Sequence, residues 1–262
     1  MTDARGTKTE RQIEKEILID APLPEVWRAL TDAKELARWF PLEARVTPGQ
    51  GGKIFLSWGP GCEGEAEIVK WEPGKALAWK DQFALVEWTL EQRGGKTLVR
   101  LLQSAFTGDV DWENEWFDSS SYGWGFMLLS LQFALERHRR MERRVAWPRL
   151  KVNTSREQAF RKLLSAGGIF ATDARAALVP GKEYSLKATT GEAYSGRVQF
   201  VHAPRGFCVS VRERNDALLW LTIEGVAGKI EVQLWLSAFG LDQTEVDAFE
   251  KQWQRQLQNI LA

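Results

Sequence analysis

The chain of 262 residues has few of the side chains that build metal centres and disulfide frameworks: 2 cysteines and 2 histidines. Cys62 and Cys208 show no Cys-x-x-Cys spacing, so both are interpreted as free structural thiols. His138 and His202 are too few to predict a histidine-based metal site or an acid-base centre. We therefore expect no metal, no cofactor and no catalytic residue. The composition favours a non-enzymatic protein but leaves an enzyme open.

Excess charge of one sign is also absent. The 35 basic residues balance 35 acidic ones, which argues against a nucleic-acid partner. No run of 18 apolar residues occurs, so no membrane span is expected. The polar N-terminus lacks the apolar run of a secretory signal. These features predict a cytoplasmic protein with a disordered tail over residues 1–11.

Sequence fingerprints of common chemistries are missing as well. Gly-x-Ser-x-Gly, P-loop and dinucleotide motifs do not occur. The acidic residues of 109–118 fail the calcium-loop pattern, because Asn114 replaces the glycine and Ser120 the final glutamate. They are interpreted as favourable charge at a helix N-terminus, and the basic stretch 137–144 as its counterpart at the C-terminus. A phosphate or acidic-partner site stays open for the basic stretch.

Hydrophobic periodicity predicts strands, two short helices, a strand meander and one long helix in the first half. The long helix spans 113–144, with an apolar stripe that begins at Trp124. Glycine-rich turns separate the strands. The predicted strands cover 12–20, 42–47, 53–58, 63–71, 75–81, 85–92 and 96–106.

The second half repeats this order more briefly. Ser104-Ala105-Phe106 recurs as Ser237-Ala238-Phe239, and at the same separation 86–91 resembles 219–224. Agreement in order, spacing and residue type predicts two domains of one architecture, residues 12–147 and 148–262. The strands predicted for the second domain cover 150–153, 184–190, 193–202, 206–213, 217–224 and 228–238, before a helix at 244–260.

The opening of the first domain carries a family resemblance. Residues 17–22 (ILIDAP), 26–32 (VWRALTD) and 36–40 (LARWF) closely resemble the start of START/Bet v 1-like (SRPBCC) domains, in the branch of the activator of Hsp90 ATPase homologue 1-like proteins. Residues 64–69 (GEAEIV) and the Gly123-Trp124 pair are similar too. The resemblance implies an α+β helix-grip fold, a curved antiparallel sheet around a long C-terminal helix, in tandem.

The same resemblance implies a cavity between sheet and helix that holds apolar molecules. Members of the superfamily include lipid carriers, receptors, cyclases, co-chaperones and stress-response proteins. With the aromatic-rich concave face, this predicts non-enzymatic binding of an apolar or aromatic small molecule in the first domain. The alternative is a co-chaperone or protein-interaction module with an Hsp90-type chaperone as partner. A cyclase-type enzyme is less favoured, because it needs a buried acid or base.

Tryptophan is abundant: 13 residues, as many as phenylalanine. These side chains either fill a core or line a ligand cavity, and both interpretations stay open. Strand alternation places Ile68 and Trp88 on the concave side, with Leu77 and Trp79 beside them. The predicted cavity lining is Trp39, Phe55, Ile68, Leu77, Trp79, Trp88, Gln103, Trp116, Tyr122 and Phe126.

The second domain is shorter, and the missing length falls in parts that would form the mouth of a cavity. A smaller or closed cavity and a structural role are therefore expected. The short apolar connection around Trp147 is unlike a flexible linker, so we predict an intramolecular pseudo-dimer within a monomeric protein, with Trp147 buried at the junction.

Overall fold

The computed structural model describes residues 11–106, 111–226 and 228–262. The chain divides into two compact units, residues 1–140 and 141–262. The predicted boundary after residue 147 lies later, because that prediction continued the long helix too far. The predicted tail lies outside the described residues, apart from Arg11, which begins the first strand. No helix in the described part of the chain is long and apolar enough to cross a membrane.

The first unit is an antiparallel sheet of seven strands with three helices. Its order in space is β1-β7-β6-β5-β4-β3-β2, so the six later strands form a meander and β1 joins its last strand. The elements are β1 (Arg11–Ile19), α1 (Leu23–Thr31), α2 (Ala33–Leu36), β2 (Glu43–Val46), β3 (Lys53–Ser57), β4 (Glu63–Glu72), β5 (Ala76–Lys80), β6 (Leu85–Arg93), β7 (Lys96–Phe106) and α3 (Asp111–Glu136).

The two short helices form where the sequence provides their start signals. Proline occupies the first turn of α1, where its missing N–H leaves no hydrogen bond unmade. Asp32 ends this helix, where its backbone N–H donates to the carbonyl of Arg28. Its carboxylate caps the next helix, because it accepts from the backbone N–H groups of Lys34 and Glu35. Val26 and Leu30 are fully buried, so α1 packs through one apolar face.

Helix α3 is shorter than predicted. It ends at Glu136 rather than near residue 144. The guanidinium of Arg139 donates to the carbonyl of Leu135 at 2.8 Å, which satisfies one of the free carbonyls at the helix end. Arg140 then adopts a φ of 63°, and the chain turns away. The basic stretch therefore supplies a helix cap, as its charge suggested, but its last residues form a strand.

The second unit is a second antiparallel sheet, of order β10-β11-β12-β13-β14-β8, with β9 also paired to β14. Its elements are β8 (Arg143–Ala146), β9 (Arg149–Val152), α4 (Arg156–Leu164), β10 (Glu183–Lys187), β11 (Ala193–His202), β12 (Gly206–Val211), β13 (Ala217–Val226), β14 (Lys229–Phe239) and α5 (Gln243–Leu261). Capping boxes at Ser155 and Asp242 start its two α-helices. The α+β helix-grip architecture is confirmed for both units.

The core of the second unit lies between its sheet and α5. Val246, Phe249 and Trp253 belong to the buried stripe of that helix. The indole N–H of Trp253 donates to the hydroxyl of Tyr194 at 3.2 Å, and this hydroxyl donates to Glu192 at 3.0 Å. Burial raises the pKa of Tyr194 to about 12, so its hydroxyl stays protonated and can act as the donor.

Trp147 is half-buried within the second unit. Its ring centroid lies 4.9 Å from that of Trp235, and its indole N–H donates to Gln233 at 3.0 Å. This residue follows β8, which pairs with β14 from Ala146↔Leu236 to Arg143↔Phe239. Trp147 therefore packs on the sheet of its own unit. The predicted pseudo-dimer and monomeric state stay predictions.

Substitution by alanine should change stability differently at two strand glycines, Gly196 in β11 and Gly64 in β4. A Cβ atom at Gly196 would lie 2.2 Å from the backbone oxygen of Ser210, at a φ of 153°. We expect Gly196→Ala to lower the free energy of unfolding by about 2–3 kcal/mol in urea denaturation. Gly64 has nothing within 4 Å of such an atom, so Gly64→Ala should leave stability unchanged or slightly raised. Equal losses in both variants would contradict this difference.

Candidate functional site

The candidate site is the inner face of the first sheet, which α3 covers. Five predicted lining residues share this face, because the strand register pairs them across β4 to β7. Their side chains are at most 5% exposed. The register pairs Ile68 with Trp79, Leu77 with Trp88, and Val86 with both Trp79 and Gln103.

Six aromatic rings form what we call the aromatic cluster: Trp39, Phe40, Trp58, Trp79, Trp88 and Trp124. Trp88 is at its centre, with ring centroids 5.9 Å from Trp39, 5.8 Å from Trp79 and 5.5 Å from Trp124. Phe40 stacks on Trp39 and on Trp124, each at 5.1 Å, and meets the edge of Trp58 at the same distance. These separations and tilts are those of attractive aromatic contacts.

Hydrogen bonds hold two of these indoles from different elements. Trp39 follows α2, and its N–H donates to the carbonyl of Ala29 in α1 at 2.8 Å. Trp124 lies on α3, and its N–H donates to Oε1 of Gln103 on β7 at 2.5 Å. The second bond fixes the helix against the sheet, since both partners are buried.

Trp88 differs from these neighbours. Its side chain is 0% exposed, and its indole N–H has no hydrogen-bond partner among the residues that the structure describes. A buried donor without a partner loses its bond to water and gains nothing in return, at a cost of about 1–3 kcal/mol. The centre of the aromatic cluster therefore holds an unused donor.

The aromatic surface continues to the outside of the unit. Trp58 is half-buried in the turn after β3. Phe83, in the turn between β5 and β6, is 57% exposed, and its ring meets that of Trp116 at 6.4 Å. Asp81 shapes this turn, because its carboxylate accepts from the backbone N–H groups of Phe83 and Ala84. Predicted residue Trp116 thus lies at the rim and not beside Trp88.

Three predicted lining residues lie elsewhere. Phe55 is on the outer face of β3, where the guanidinium of Arg45 lies 3.8 Å from its ring and Glu65 is its strand partner. Alternation did not identify its face, because β3 carries apolar residues on both. Tyr122 and Phe126 are buried on α3, but each is two residues from Trp124 and so about 200° around the helix from it.

Sequence reasoning left three cluster members out of the predicted lining: Phe40, Trp58 and Trp124. Phe40 and Trp124 belong to the motifs that carried the family resemblance, and this was the available signal. Trp58 gave none, since it lies in a glycine-rich turn. Ser57 at the end of β3 accepts from the backbone N–H of Gly59 at 3.1 Å and holds that turn.

Charge lies almost entirely on the outer face. Arg100 contacts Glu16 at 3.3 Å and Glu91 at 2.9 Å, and Arg93 together with Arg100 lowers the pKa of Glu91. An outer groove of about 530 Å³ is lined by such mixed charges. At the inner-facing strand positions that are described, the charged side chains are both on edge strand β1: Lys15 and Arg11. The guanidinium of Arg11 donates to Asn114 at 2.5 Å and lies 3.8 Å from the ring of Phe117, both on α3.

Comparison with known proteins shows a similarity to one family. Residues 20–136 match the family model described as activator of Hsp90 ATPase homolog 1-like protein. No curated protein matches the chain. The matched residues run from the end of β1 to the end of α3.

Three solved structures illustrate the similarity. The Aha1 dimer of Colwellia psychrerythraea is 23% identical, with 48% of this chain and 96% of that chain covered at a TM-score of 0.43. Protein MLL2253 of Mesorhizobium loti is 24% identical, with 49% of this chain and 99% of that chain covered at a TM-score of 0.45. DynU16, a putative protein in the dynemicin biosynthetic locus, is 16% identical, with 95% of this chain and 96% of that chain covered at a TM-score of 0.41.

The bond between α3 and the sheet of the first unit can be tested by removing its acceptor. Gln103→Leu leaves the buried N–H of Trp124 without a partner, so we expect a loss of about 1–3 kcal/mol in the free energy of unfolding. Gln92→Leu is the matched control, because Gln92 is exposed on neighbouring β6 and should change stability by less than about 0.5 kcal/mol. Urea denaturation measures both, and equal effects would refute the anchoring role.

Proposed function

We propose that the first unit binds a small, flat aromatic molecule between the concave face of its sheet and α3. The observation that carries this proposal is the aromatic cluster, which runs through continuous ring contacts from half-buried Trp58 to fully buried Trp88. Ligand sites of this kind are mostly apolar, with a few polar groups that orient the molecule. Gln103 and Trp88 supply the polar groups here.

The second unit offers an internal comparison that supports the proposal. Leu221 and Leu234 form the same strand pair in that unit as Trp88 and Leu101 in the first. Leu236 likewise stands where the first unit has Gln103. At these positions aliphatic residues are therefore sufficient in the second unit, whose interior takes its aromatic side chains from other positions such as Phe207, Phe249 and Trp253. Strand pairing alone does not require the indole of Trp88 or the amide of Gln103.

Binding on this proposal requires the rings to separate. Trp39 and Trp88 are at most 1% exposed, and close-packed interiors admit no extra ring without movement. Trp58 and Phe83 are the more accessible aromatics, so we infer that the ligand enters between them by displacing the rim rings. A ligand then replaces ring-to-ring contacts by contacts of the same kind, which keeps the cost of opening low.

Substitution of Trp88 by leucine tests the proposed binding, because the second unit has Leu221 at the matching position. Titration with anthraquinone should quench tryptophan fluorescence to saturation at one molecule per chain. We expect Trp88→Leu to weaken this binding at least tenfold while the far-ultraviolet circular dichroism stays unchanged. Trp147→Leu is the control, since Trp147 packs on the second sheet. Absence of saturable binding to the unmodified protein, or undiminished binding by Trp88→Leu, would reject the proposal.

The second candidate is a co-chaperone function, favoured by the family match over residues 20–136. We expect such a function to change the ATPase rate of an Hsp90-type chaperone and to appear as co-purification with it. The test is the ATPase rate of the chaperone, measured with and without this protein. An unchanged rate would exclude stimulation of the chaperone. Cytoplasmic location and a role in stress response also stay predictions.

A cyclase-type enzyme is the least supported reading. General acid–base chemistry needs a carboxylate, histidine or similar group in reach of the substrate. The inner-facing strand positions described for the first unit carry neither carboxylate nor histidine. Strands β4, β6 and β7 direct their acidic and basic side chains to the outer face, where they pair with one another. Two buried titratable side chains do occur outside the strands, Glu113 on α3 and His138 after it. We favour binding without catalysis because the strand face that carries the aromatic cluster holds neither type of group.

A further inference from the structure

We infer that the ligand of the first unit is an uncharged aromatic carbonyl compound, whose oxygen accepts the hydrogen bond that the indole N–H of Trp88 offers. This inference rests on the proposed function, since it names the chemical class that the same interior would select. Its basis is the unused donor of Trp88 and the position of Gln103 beside it.

The first step concerns the donors of four buried indoles. The N–H groups of Trp39 and Trp124 have protein acceptors, and in the second unit so does that of Trp253. Trp88 has none among the described residues, although it is 0% exposed. Packing does not demand an indole at this position, because the second unit has Leu221 there. An indole kept at a cost in stability, beside satisfied neighbours, indicates a partner that arrives with the ligand.

The second step concerns the amide of Gln103. Its Oε1 atom already accepts from Trp124, and no hydrogen bond from its Nε2 atom is present among the described residues. Gln103 lies on the strand next to Trp88, two residues beyond the partner Leu101. Such diagonal neighbours have Cα atoms about 7–8 Å apart, within reach of long side chains. A carbonyl oxygen has two lone pairs and can accept from both donors at once.

The third step concerns charge. Both donors are neutral, and an anion in this interior would need a cation at hydrogen-bond distance to offset its lost hydration. Two strand cations of the described part lie on the inner side, Arg11 and Lys15. Both are on β1, separated from β6 by β7, and the guanidinium of Arg11 already donates to Asn114 on α3 at 2.5 Å. Neighbouring strands are about 4.8 Å apart, so the two strands lie about 10 Å apart. The interior therefore favours a neutral carbonyl over a carboxylate.

The test compares two probes of nearly equal shape, fluorenone, which carries a carbonyl, and fluorene, which lacks one. Dissociation constants are measured by equilibrium dialysis for the full chain. We expect the unmodified protein to prefer fluorenone about tenfold. Trp88→Phe should bring this ratio down by about the same factor and still bind fluorene. Because each ratio is compared between proteins, the different water solubilities of the two probes cancel.

Two variants separate the lost donor from the altered ring. Trp88→3-benzothienylalanine keeps the size of the indole without its N–H, and we expect it to lose the preference as Trp88→Phe does. Trp79→Phe removes a neighbouring indole, 5.8 Å away, and should keep the preference. Retention of the full fluorenone preference by both position-88 variants would overturn the inference.

The outcomes for the two proposals are distinct. Binding of both probes with equal ratios in the unmodified protein and in Trp88→Phe would leave the proposed function standing and reject the carbonyl. Tighter binding of 9-fluorenecarboxylate than of fluorenone would reject the uncharged ligand. No binding of any of the three probes would count against the proposed function itself.

Discussion

The hydrogen bond between Trp124 and Gln103 is the contact on which the first unit depends. It joins the long helix of this unit to β7, the strand next to edge strand β1, and both partners are buried. With α3 fixed in this way, Trp124 meets both Phe40 and Trp88, which adds a second path of ring contacts beside the one through Trp39. A buried polar contact of this kind sets position more than it adds stability, because its formation mainly offsets the loss of hydration.

The two units show how one architecture accommodates different interiors. Strand pairing is the same around Trp88 and around Leu221, so the backbone does not require either side chain. What differs is chemistry, since the first unit replaces aliphatic volume by indoles and an amide. In the second unit the indole N–H of Trp253 instead has a protein acceptor, in the chain of hydrogen bonds from Trp253 to Tyr194 and Glu192. Burial also raises the pKa of Cys208 in this unit, which keeps that thiol protonated and unreactive.

Exposure rises along the aromatic cluster from its centre to its rim. Trp88 is fully buried and Trp58 is half-buried. Outside the cluster, Phe83 contacts Trp116 near the beginning of α3 and is largely exposed. Local stability follows the number of buried contacts, so the rim should open more readily than the centre. The turn that carries Phe83 is itself ordered by Asp81. Movement at the rim would therefore involve aromatic side chains more than the backbone of this turn.

Strand alternation in the sequence was sufficient to predict Ile68, Leu77, Trp79, Trp88 and Gln103 on one face, because a period of two is a local property of every strand. Motifs and the repeat likewise predicted two α+β units. The face of Phe55, the side of α3 that Tyr122 and Phe126 occupy, and the strand at Arg143–Ala146 were decided by tertiary structure. Each depends on which neighbour an element packs against, and strand partners, helix rotation and the unused donor of Trp88 all arise from residues distant in the chain.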